Sequence, residues 1–206
     1  MASISRAYKL GMLNKERFDM EELVREKLKE SAEIKLKLDA EIIVRIANAI
    51  IETYKKGGKV LLFGNGGSAA DAQHIAAELV GKYKLVREPL PAMALTVNTS
   101  ILTACANDFG YEHVFSKQIQ AHAHKNDVVI GISTSGTSPN VLEAIKTAKE
   151  KGCVTVGFSG EKKTGLGEMV DLWLQVPSSD TPRIQESHIT AGHIICGLVE
   201  KKLFGG

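Results

Sequence analysis

The sequence predicts an α/β fold: a three-layer, doubly wound parallel sheet with helices on both faces and additional helices at the N-terminus. From residue 59 onwards, short apolar segments alternate with longer helix-like segments, which is the pattern of parallel strands joined by helical crossovers. The segment from about residue 19 to residue 56 contains neither proline nor glycine and is a candidate for the additional helices. Turns of glycine and small polar residues follow two apolar segments, at the edge where such sheets bind ligands.

An apolar stripe predicts the N-terminal helices. Ile42, Ile46 and Ile50 recur at steps of four, which is the spacing of one helix face, and a glycine pair ends the pattern. We expect these helices, in one or two pieces, to pack on the domain or on another subunit. We assign residues 1–18 to an N-terminal tail and residues 19–206 to a single domain that includes the helices.

Five strands and four further helices are expected in the alternating region. The strands are predicted at residues 59–63, 92–97, 127–133, 153–159 and 172–176. The helices are predicted at residues 69–83, 112–123, 139–151 and 182–203. Ser68, Ser138 and Thr181 are the predicted N-caps, because each is a small hydroxyl residue directly before a helix-like segment.

The composition excludes several classes of protein. The chain has 206 residues, 44% hydrophobic and 24% charged, values typical of a globular domain. Its formal net charge of +2 is too balanced to indicate binding to nucleic acid or to a membrane. Three separated cysteines without a CxxC pair favour a reduced, intracellular compartment. Without a segment typical of a signal peptide or a membrane span, we expect a cytoplasmic protein.

Two strand–turn–helix segments, "KVLLFGNGGSAADA" and "DVVIGISTSGTSPNV", resemble each other and indicate an anion site. Each turn places free backbone N–H groups and the positive end of a helix at one point. The second turn adds five hydroxyl groups, which could bind a phosphate monoester without a lysine. A loop whose serines and threonines serve turn geometry alone remains an alternative. The first turn lacks the third glycine of GxGxxG, which argues against a dinucleotide.

Two pairs of polar residues lie at helical spacing. His74 and Glu78 are four residues apart and share one helix face, where a metal or a sugar could contact both; an ordinary surface pair is the alternative. Gln185 and His193 are separated by about 12 Å of helical rise, so one ion could reach both only if the helix bends or neighbouring chains contribute. His193 borders an apolar segment, where a histidine is more often a packed core or interface residue than a ligand. Histidine and carboxylate ligands suit zinc, which keeps a coordination position open in catalytic sites.

Four segments together carry a family resemblance. They are "FGNGGSAADAQHIAAEL", "CANDFGYEHVFSKQI", "GISTSGTSPNVLEAI" and "TPRIQESHITAGHIICGLVE". In this order and spacing, from about residue 20 to residue 203, the chain resembles the phosphoheptose isomerases, the sedoheptulose 7-phosphate isomerase branch of the sugar-isomerase (SIS) domain superfamily. The "GISTSG" segment alone indicates only the superfamily, whereas the segments with the two polar pairs indicate the branch.

The resemblance implies a role for each matching position. Contacts to the substrate are implied for Asn65, Gly66, Gly67, Glu78, Asn107, Asp108 and Gln185. The phosphate group would be held by Ser133, Thr134, Ser135 and Ser138. One zinc ion per subunit would be bound by His74, Glu78, Gln185 and His193. Glu78 and His193 would also be the catalytic acid–base pair.

The resemblance further implies a flavodoxin-like SIS fold and a homotetramer with active sites between subunits. The implied reaction converts sedoheptulose 7-phosphate to D-glycero-D-manno-heptose 7-phosphate through an enediol, for ADP- or GDP-heptose and lipopolysaccharide. Three other hypotheses remain: a non-enzymatic factor that binds the bacterial replication initiator, a sugar-phosphate sensor, or an isomerase of another sugar phosphate. Retention of all four implied metal ligands favours the enzyme, because the two binding proteins need the phosphate turn alone.

Overall fold

The computed structural model describes residues 2–162 and 165–205, with side chains from residue 19 onwards. The α-helices are α1 (Ala2–Leu36), α2 (Ala40–Lys55), α3 (Gly67–Val80), α4 (Thr99–Phe109), α5 (Ser116–His122), α6 (Pro139–Glu150), α7 (Leu166–Met169) and α8 (Thr181–Phe204). A 3-10 helix covers Tyr111–His113. The strands are β1 (Val60–Gly64), β2 (Ala92–Ala94), β3 (Val128–Ile132), β4 (Val154–Ser159) and β5 (Leu172–Gln175).

The five strands form one parallel sheet in the order β2-β1-β3-β4-β5. The chain winds outward in one direction from β1 to β2 and in the other from β3 to β5, which confirms the predicted doubly wound fold. In such sheets the ligand crevice opens between the strands where the direction changes, here β1 and β3. Gly64 of β1 is the register partner of Ile132 of β3, so the two turns that follow leave the sheet side by side.

The apolar core lies in two layers, one on each face of the sheet. Val60 and Leu62 of β1 pack with α2, α3 and α8, whereas Leu61 and Phe63 pack with α5 and α6. Consecutive strand residues point to opposite faces, so a strand that is covered on both sides is a continuous apolar run. The helices therefore form the outer layers of a three-layer α/β structure, as the sequence predicts.

The N-terminal helices are two separate pieces. Asp39 begins α2, because its Oδ1 accepts hydrogen bonds from the N–H groups of Glu41 and Ile42 at 2.8 and 3.3 Å. Helix α2 then buries the predicted stripe against the sheet. Helix α1 contacts α8 through Arg183, whose Nη1 donates to the carbonyl oxygen of Lys27 at 2.7 Å. The assignment of residues 1–18 to a tail stays a prediction.

Two of the three predicted N-caps are wrong. Ser68 lies inside α3, whose N-cap is Gly66 with a φ of +56°; the left-handed backbone turns the chain sharply out of β1, so the helix begins earlier. Thr181 is the first residue of α8, and the extended residue before it, Asp180, is the N-cap. Ser138 is confirmed as the N-cap of α6.

Helices α4 and α7 lie outside the predicted elements. Helix α4 follows β2, which ends at Ala94, three residues earlier than predicted. The β-branched residues after Ala94 favour a strand locally, but Asn98 begins a helix by accepting a hydrogen bond from the N–H of Ile101 at 3.0 Å. The predicted helix 112–123 is divided between the 3-10 helix and α5. None of the described helices has the length and apolarity to cross a membrane.

Candidate active site

The turn between β1 and α3 is fixed by a reciprocal amide pair. Asn65 Nδ2 donates to Asn140 Oδ1, and Asn140 Nδ2 donates to Asn65 Oδ1, both at 2.9 Å. Tyr111 adds a hydrogen bond from its hydroxyl to Asn65 Oδ1 at 3.2 Å. Asn140 is buried at the start of α6, so the pair joins the two ligand turns. The predicted substrate residue Asn65 therefore uses its side chain to set the shape of the crevice, and Gly66 and Gly67 follow it directly.

The turn between β3 and α6 gathers the predicted phosphate-binding hydroxyls. Ser133 Oγ lies 2.9 Å from Ser138 Oγ and 3.4 Å from Ser135 Oγ. Within the described residues, the Ser138 side chain makes no hydrogen bond to α6, so its hydroxyl is available to a ligand at the helix start. Thr134 and Ser135 also line a cleft of about 450 Å³. Neutral donors and a helix end therefore meet at one point.

A cluster of His74, Glu78 and His193 forms where α3 meets α8. The Nε2 atoms of the two histidines are 2.9 Å apart, and His74 Nε2 lies 3.2 Å from Glu78 Oε1. One ligand atom from each of the three residues lies within 4.8 Å of the others. Residues 119 positions apart in the sequence are thus brought together by helix packing, and the half-exposed His74 side chain leaves one side open.

The cluster has the composition and dimensions of a metal site. At 2.9 Å, one of the two facing imidazole nitrogens must lack its proton, and unprotonated imidazole is the form that binds a metal. Two tetrahedral ligands at zinc distances would be about 3.3 Å apart, close to the separations in the cluster. These three residues could therefore hold a divalent cation, with the open side free for a further ligand.

Gln185 lies on α8 against the start of α3. A Cβ atom on Gly67 would lie 2.5 Å from Gln185 Nε2, so the Gln185 side chain rests against the start of α3. A Cβ on Gly192 would meet Ile75 at 2.7 Å, which means that α3 and α8 run side by side at a separation that glycine permits. Gln185 thus contacts the predicted substrate turn, whereas its place among the metal ligands stays a prediction.

Asn107 and Asp108 lie on the exposed end of α4. Asn107 Nδ2 donates to Asp108 Oδ1 at 2.8 Å. The segment reaches the crevice through Tyr111, whose hydroxyl contacts Asn65. The structure therefore connects this segment to the first turn, and its contact with substrate stays a prediction.

Three residues near the site were not predicted to belong to it: Asn140, Tyr111 and Asp71. Burial raises the pKa of Asp71 to about 6, although the nearby His74 lowers it. Its Oδ2 is buried without a hydrogen-bond partner among the described residues. Asp71 precedes His74 by three residues, so the helical spacing that indicated His74 and Glu78 also includes it. Asn140 and Tyr111 are paired across long sequence distances, which no local pattern reveals.

The fold and the two turns are those of a SIS domain, and the model of that family matches residues 25–160. A phosphoheptose isomerase of Burkholderia pseudomallei is 57% identical over 163 residues, 79% of this chain and 83% of the relative. That of Citrifermentans bemidjiense is 52% identical over 88% of this chain and 96% of the relative. The structure of phosphoheptose isomerase GmhA from Neisseria gonorrhoeae superposes with a TM-score of 0.83 at 41% identity, over 88% of this chain and 99% of that one. The chain belongs to the phosphoheptose isomerase family of SIS domain proteins and is an isomerase.

Proposed function

We propose that the chain interconverts sedoheptulose 7-phosphate and D-glycero-D-manno-heptose 7-phosphate in the cytoplasm, as a step towards ADP- or GDP-heptose. The observation that carries the proposal is the meeting of His74, Glu78 and His193 in a chain that also has a hydroxyl turn suited to phosphate. A sugar-phosphate sensor or an initiator-binding factor would need the turn but not the cluster. The names of the relatives at 52–57% identity support the seven-carbon substrate.

The hydroxyl turn binds the phosphate end of the substrate. Ser133, Ser135 and Ser138 offer converging hydroxyl groups, Thr134 lies between them, and the α6 N-terminus favours a negative charge. Because the phosphate is remote from the reacting carbons, its binding energy orients the sugar for reaction. The amide pair of Asn65 and Asn140 keeps this turn at a fixed distance from the first one.

One zinc ion per subunit would be held by His74, Glu78 and His193, with Gln185 as the implied fourth ligand. When bound, the ion supplies a Lewis acid for the oxygens of the substrate. The chain's own contribution is to direct two imidazole nitrogens and a carboxylate at one point. Gln185, on the same helix as His193, lies where it contacts the substrate turn.

Glu78 and His193 carry the proton transfers. Glu78 removes the proton from C1 of the ketose, which gives an enediol, and returns it to C2. His193 moves the proton between the two oxygen atoms, so that the carbonyl passes from C2 to C1. A positioned acid or base typically contributes 10²–10⁴-fold to the rate. Both residues stand on rigid helices, which keeps their separation fixed during the two steps.

The functional unit is a homotetramer with active sites between subunits. Helix α1 supports this, because apolar side chains on it are exposed in the single chain. Met20, Leu23, Val24 and Leu28 are 53–66% exposed, and such a stripe is typical of a helix that packs on a partner. Size-exclusion chromatography with light scattering should give four chains per particle.

Isomerisation is tested by NMR with the purified protein and sedoheptulose 7-phosphate. We expect the aldose phosphate to form with zinc present, and a chelator to abolish its formation. Sedoheptulose without phosphate is the matched control and should not react at a comparable rate. Binding of the ketose without conversion, with zinc present, would instead support the sensor or the initiator-binding factor.

A further inference from the structure

A buried ion pair joins α8 to the segment that follows α3, beyond the cluster of His74, Glu78 and His193. Arg87 and Glu200 have side chains that are 2% and 3% exposed, with Arg87 Nε 3.3 Å from Glu200 Oε2. A buried pair of this kind gains little net stability over apolar residues, because both charges lose their hydration. The contacts of its two members therefore indicate what the pair does.

Arg87 binds the backbone of α3 at the catalytic carboxylate. Its Nη2 donates to the carbonyl oxygen of Glu78 at 2.8 Å, and its Nη1 donates to that of Leu79 at 2.7 Å. These carbonyls belong to the last turn of α3, where no further helix turn supplies N–H donors. The guanidinium thus caps the C-terminal end of α3 and fixes the backbone position of Glu78, the proposed base.

Glu200 binds the segment that follows α3. Its carboxylate accepts hydrogen bonds from the N–H groups of Tyr83, Lys84 and Leu85 at 3.1, 2.9 and 2.8 Å. Burial alone would raise the pKa of Glu200, but these N–H groups and Arg87 lower it on balance, so the carboxylate is ionised at neutral pH. A charged acceptor therefore holds three consecutive residues in place.

Tyr83 extends this connection to the second catalytic residue. Its ring stacks on the His193 ring, with centroids 5.8 Å apart and planes at 26°. Gly197 leaves room for it, since a Cβ there would lie 3.1 Å from Tyr83 Cε1. His193 and Glu200 are seven residues apart on α8 and share one face, so the helix that presents His193 also holds the Tyr83 backbone.

We propose that Arg87 and Glu200 are positioning residues that set the distance between Glu78 and His193. One end of the pair holds the Glu78 backbone, and the other holds Tyr83 against His193. This inference rests on the proposed function for its catalytic consequence, but the effect on metal affinity does not require turnover. Loss of such a supporting contact typically costs 10–100-fold in metal affinity or activity.

Glu200→Gln is the main test, because it keeps the size of the side chain and removes the charge. We expect the zinc dissociation constant, from competition with a chromophoric chelator, to rise about 10-fold or more. We expect kcat to fall by a similar factor while KM for the sugar phosphate changes less than twofold. Tyr83→Phe keeps the stacked ring and the backbone N–H, so its zinc affinity and kcat should equal those of the wild type. Tyr83→Ala removes the ring and should lower both.

Lys59→Met is the matched control. It breaks another ion pair, Lys59 with Asp127 at 2.7 Å, whose carboxylate bonds, among the described residues, to residues 59 and 124 and not to α3 or α8. It should lower the unfolding midpoint without changing zinc affinity or kcat. If Glu200→Gln behaves like this control, the pair is merely structural and the inference is overturned.

Two further outcomes separate this inference from the proposed function. If the wild type binds zinc but converts no substrate, the proposed function fails, and a weaker zinc affinity of Glu200→Gln still supports the positioning role. If Glu200→Gln does not fold, Arg87→Lys is measured in its place, because lysine keeps the charge but lacks the planar group whose three nitrogens contact Glu200 and the two carbonyls. Wild-type zinc affinity and kcat in Arg87→Lys would then overturn the inference.

Discussion

The two edges of the sheet each carry a polar cluster, and the clusters differ in how completely they are hydrogen-bonded. At the amino edge, the buried Asp127 accepts hydrogen bonds from Lys59 N, Lys59 Nζ and His124 N at 2.9, 2.7 and 2.8 Å. At the carboxyl edge, serine hydroxyls bond to one another, and Asp71 Oδ2 has no partner among the described residues. The first cluster is saturated, whereas the second retains capacity for a ligand.

The aspartates of the two clusters have opposite pKa shifts. Burial would raise the pKa of Asp127, but hydrogen bonds from Lys59 and His124 outweigh it and lower the value. At Asp71 burial is the larger effect and raises the pKa to about 6. Hydrogen bonds to a buried carboxylate favour its charged form, and burial without such bonds disfavours it. A buried carboxyl group that lacks a hydrogen-bond partner does not stabilise the fold. The carboxyl edge is therefore the edge that we expect to bind a ligand.

Glu78→Gln should have the largest effect. The amide cannot accept the C1 proton, so kcat should fall 10²–10⁴-fold, while the free energy of unfolding stays within about 0.5 kcal/mol because the side chain is partly exposed. Initial rates by NMR and urea unfolding measure the two quantities. Glu88→Gln, at an exposed position ten residues later, is the control and should be unchanged. Retained activity would remove Glu78 from the mechanism.

Asp127→Asn should lower stability at the amino edge and leave activity unchanged. The amide nitrogen would face donors from Lys59 and His124, which costs about 2 kcal/mol at pH 7. Because the folded pKa of Asp127 is below its unfolded value, its contribution is present above the unfolded pKa and is lost as pH falls through the folded pKa. The difference between wild type and variant in urea unfolding should therefore shrink below pH 4. A constant difference across this range would contradict the role of the charge.

The sequence predicted the architecture because the buried strands are apolar on both faces. The continuous apolar segments "VLLFG" and "VVIGI" are typical of parallel strands that are covered on both faces. It did not predict α4, because the β-branched residues before it favour a strand until Asn98 begins a helix. Ser68 was wrongly predicted as the N-cap of α3, because the helix begins after Gly66. The positive φ of Gly66 cannot be inferred from the preference of serine for N-cap positions.

The site was predictable where neighbours in sequence act together. The helical spacing of His74 and Glu78 and the run of hydroxyls after β3 place these residues correctly on one surface each. Contacts between distant segments were not predictable by such rules. The pairing of Asn65 with Asn140 depends on how the turns after β1 and β3 leave the sheet side by side, and the meeting of His74 with His193 depends on how α3 packs against α8. The spacing of Gln185 and His193 on one helix made His193 a candidate, but only the resemblance implied that it shares a site with His74 and Glu78.

Ser133→Ala should weaken the binding of substrate at the carboxyl edge. It removes a hydroxyl that lies 2.9 Å from that of Ser138 and would donate to the phosphate, and a hydrogen bond to a charged group is worth about 1.5–3 kcal/mol. We expect KM to rise about 10-fold with kcat nearly unchanged. Ser100→Ala, on the exposed start of α4, is the control. An unchanged KM would show that the phosphate binds elsewhere.

Thr53→Val should have the smallest effect, a loss of stability that arises at the amino edge of the sheet. The buried Thr53 donates its hydroxyl proton to the carbonyl oxygen of Asn126 at 3.0 Å, and valine keeps the shape while leaving that oxygen without a donor. The cost is about 1 kcal/mol, which lowers the unfolding midpoint by about 2–4 °C for a chain of this size. Because the contact lies at the opposite end of the strands from the crevice, kcat and KM should equal the wild-type values. A change in either would mean that the two edges are coupled through the sheet, and that saturation at one edge helps to hold the open geometry of the other.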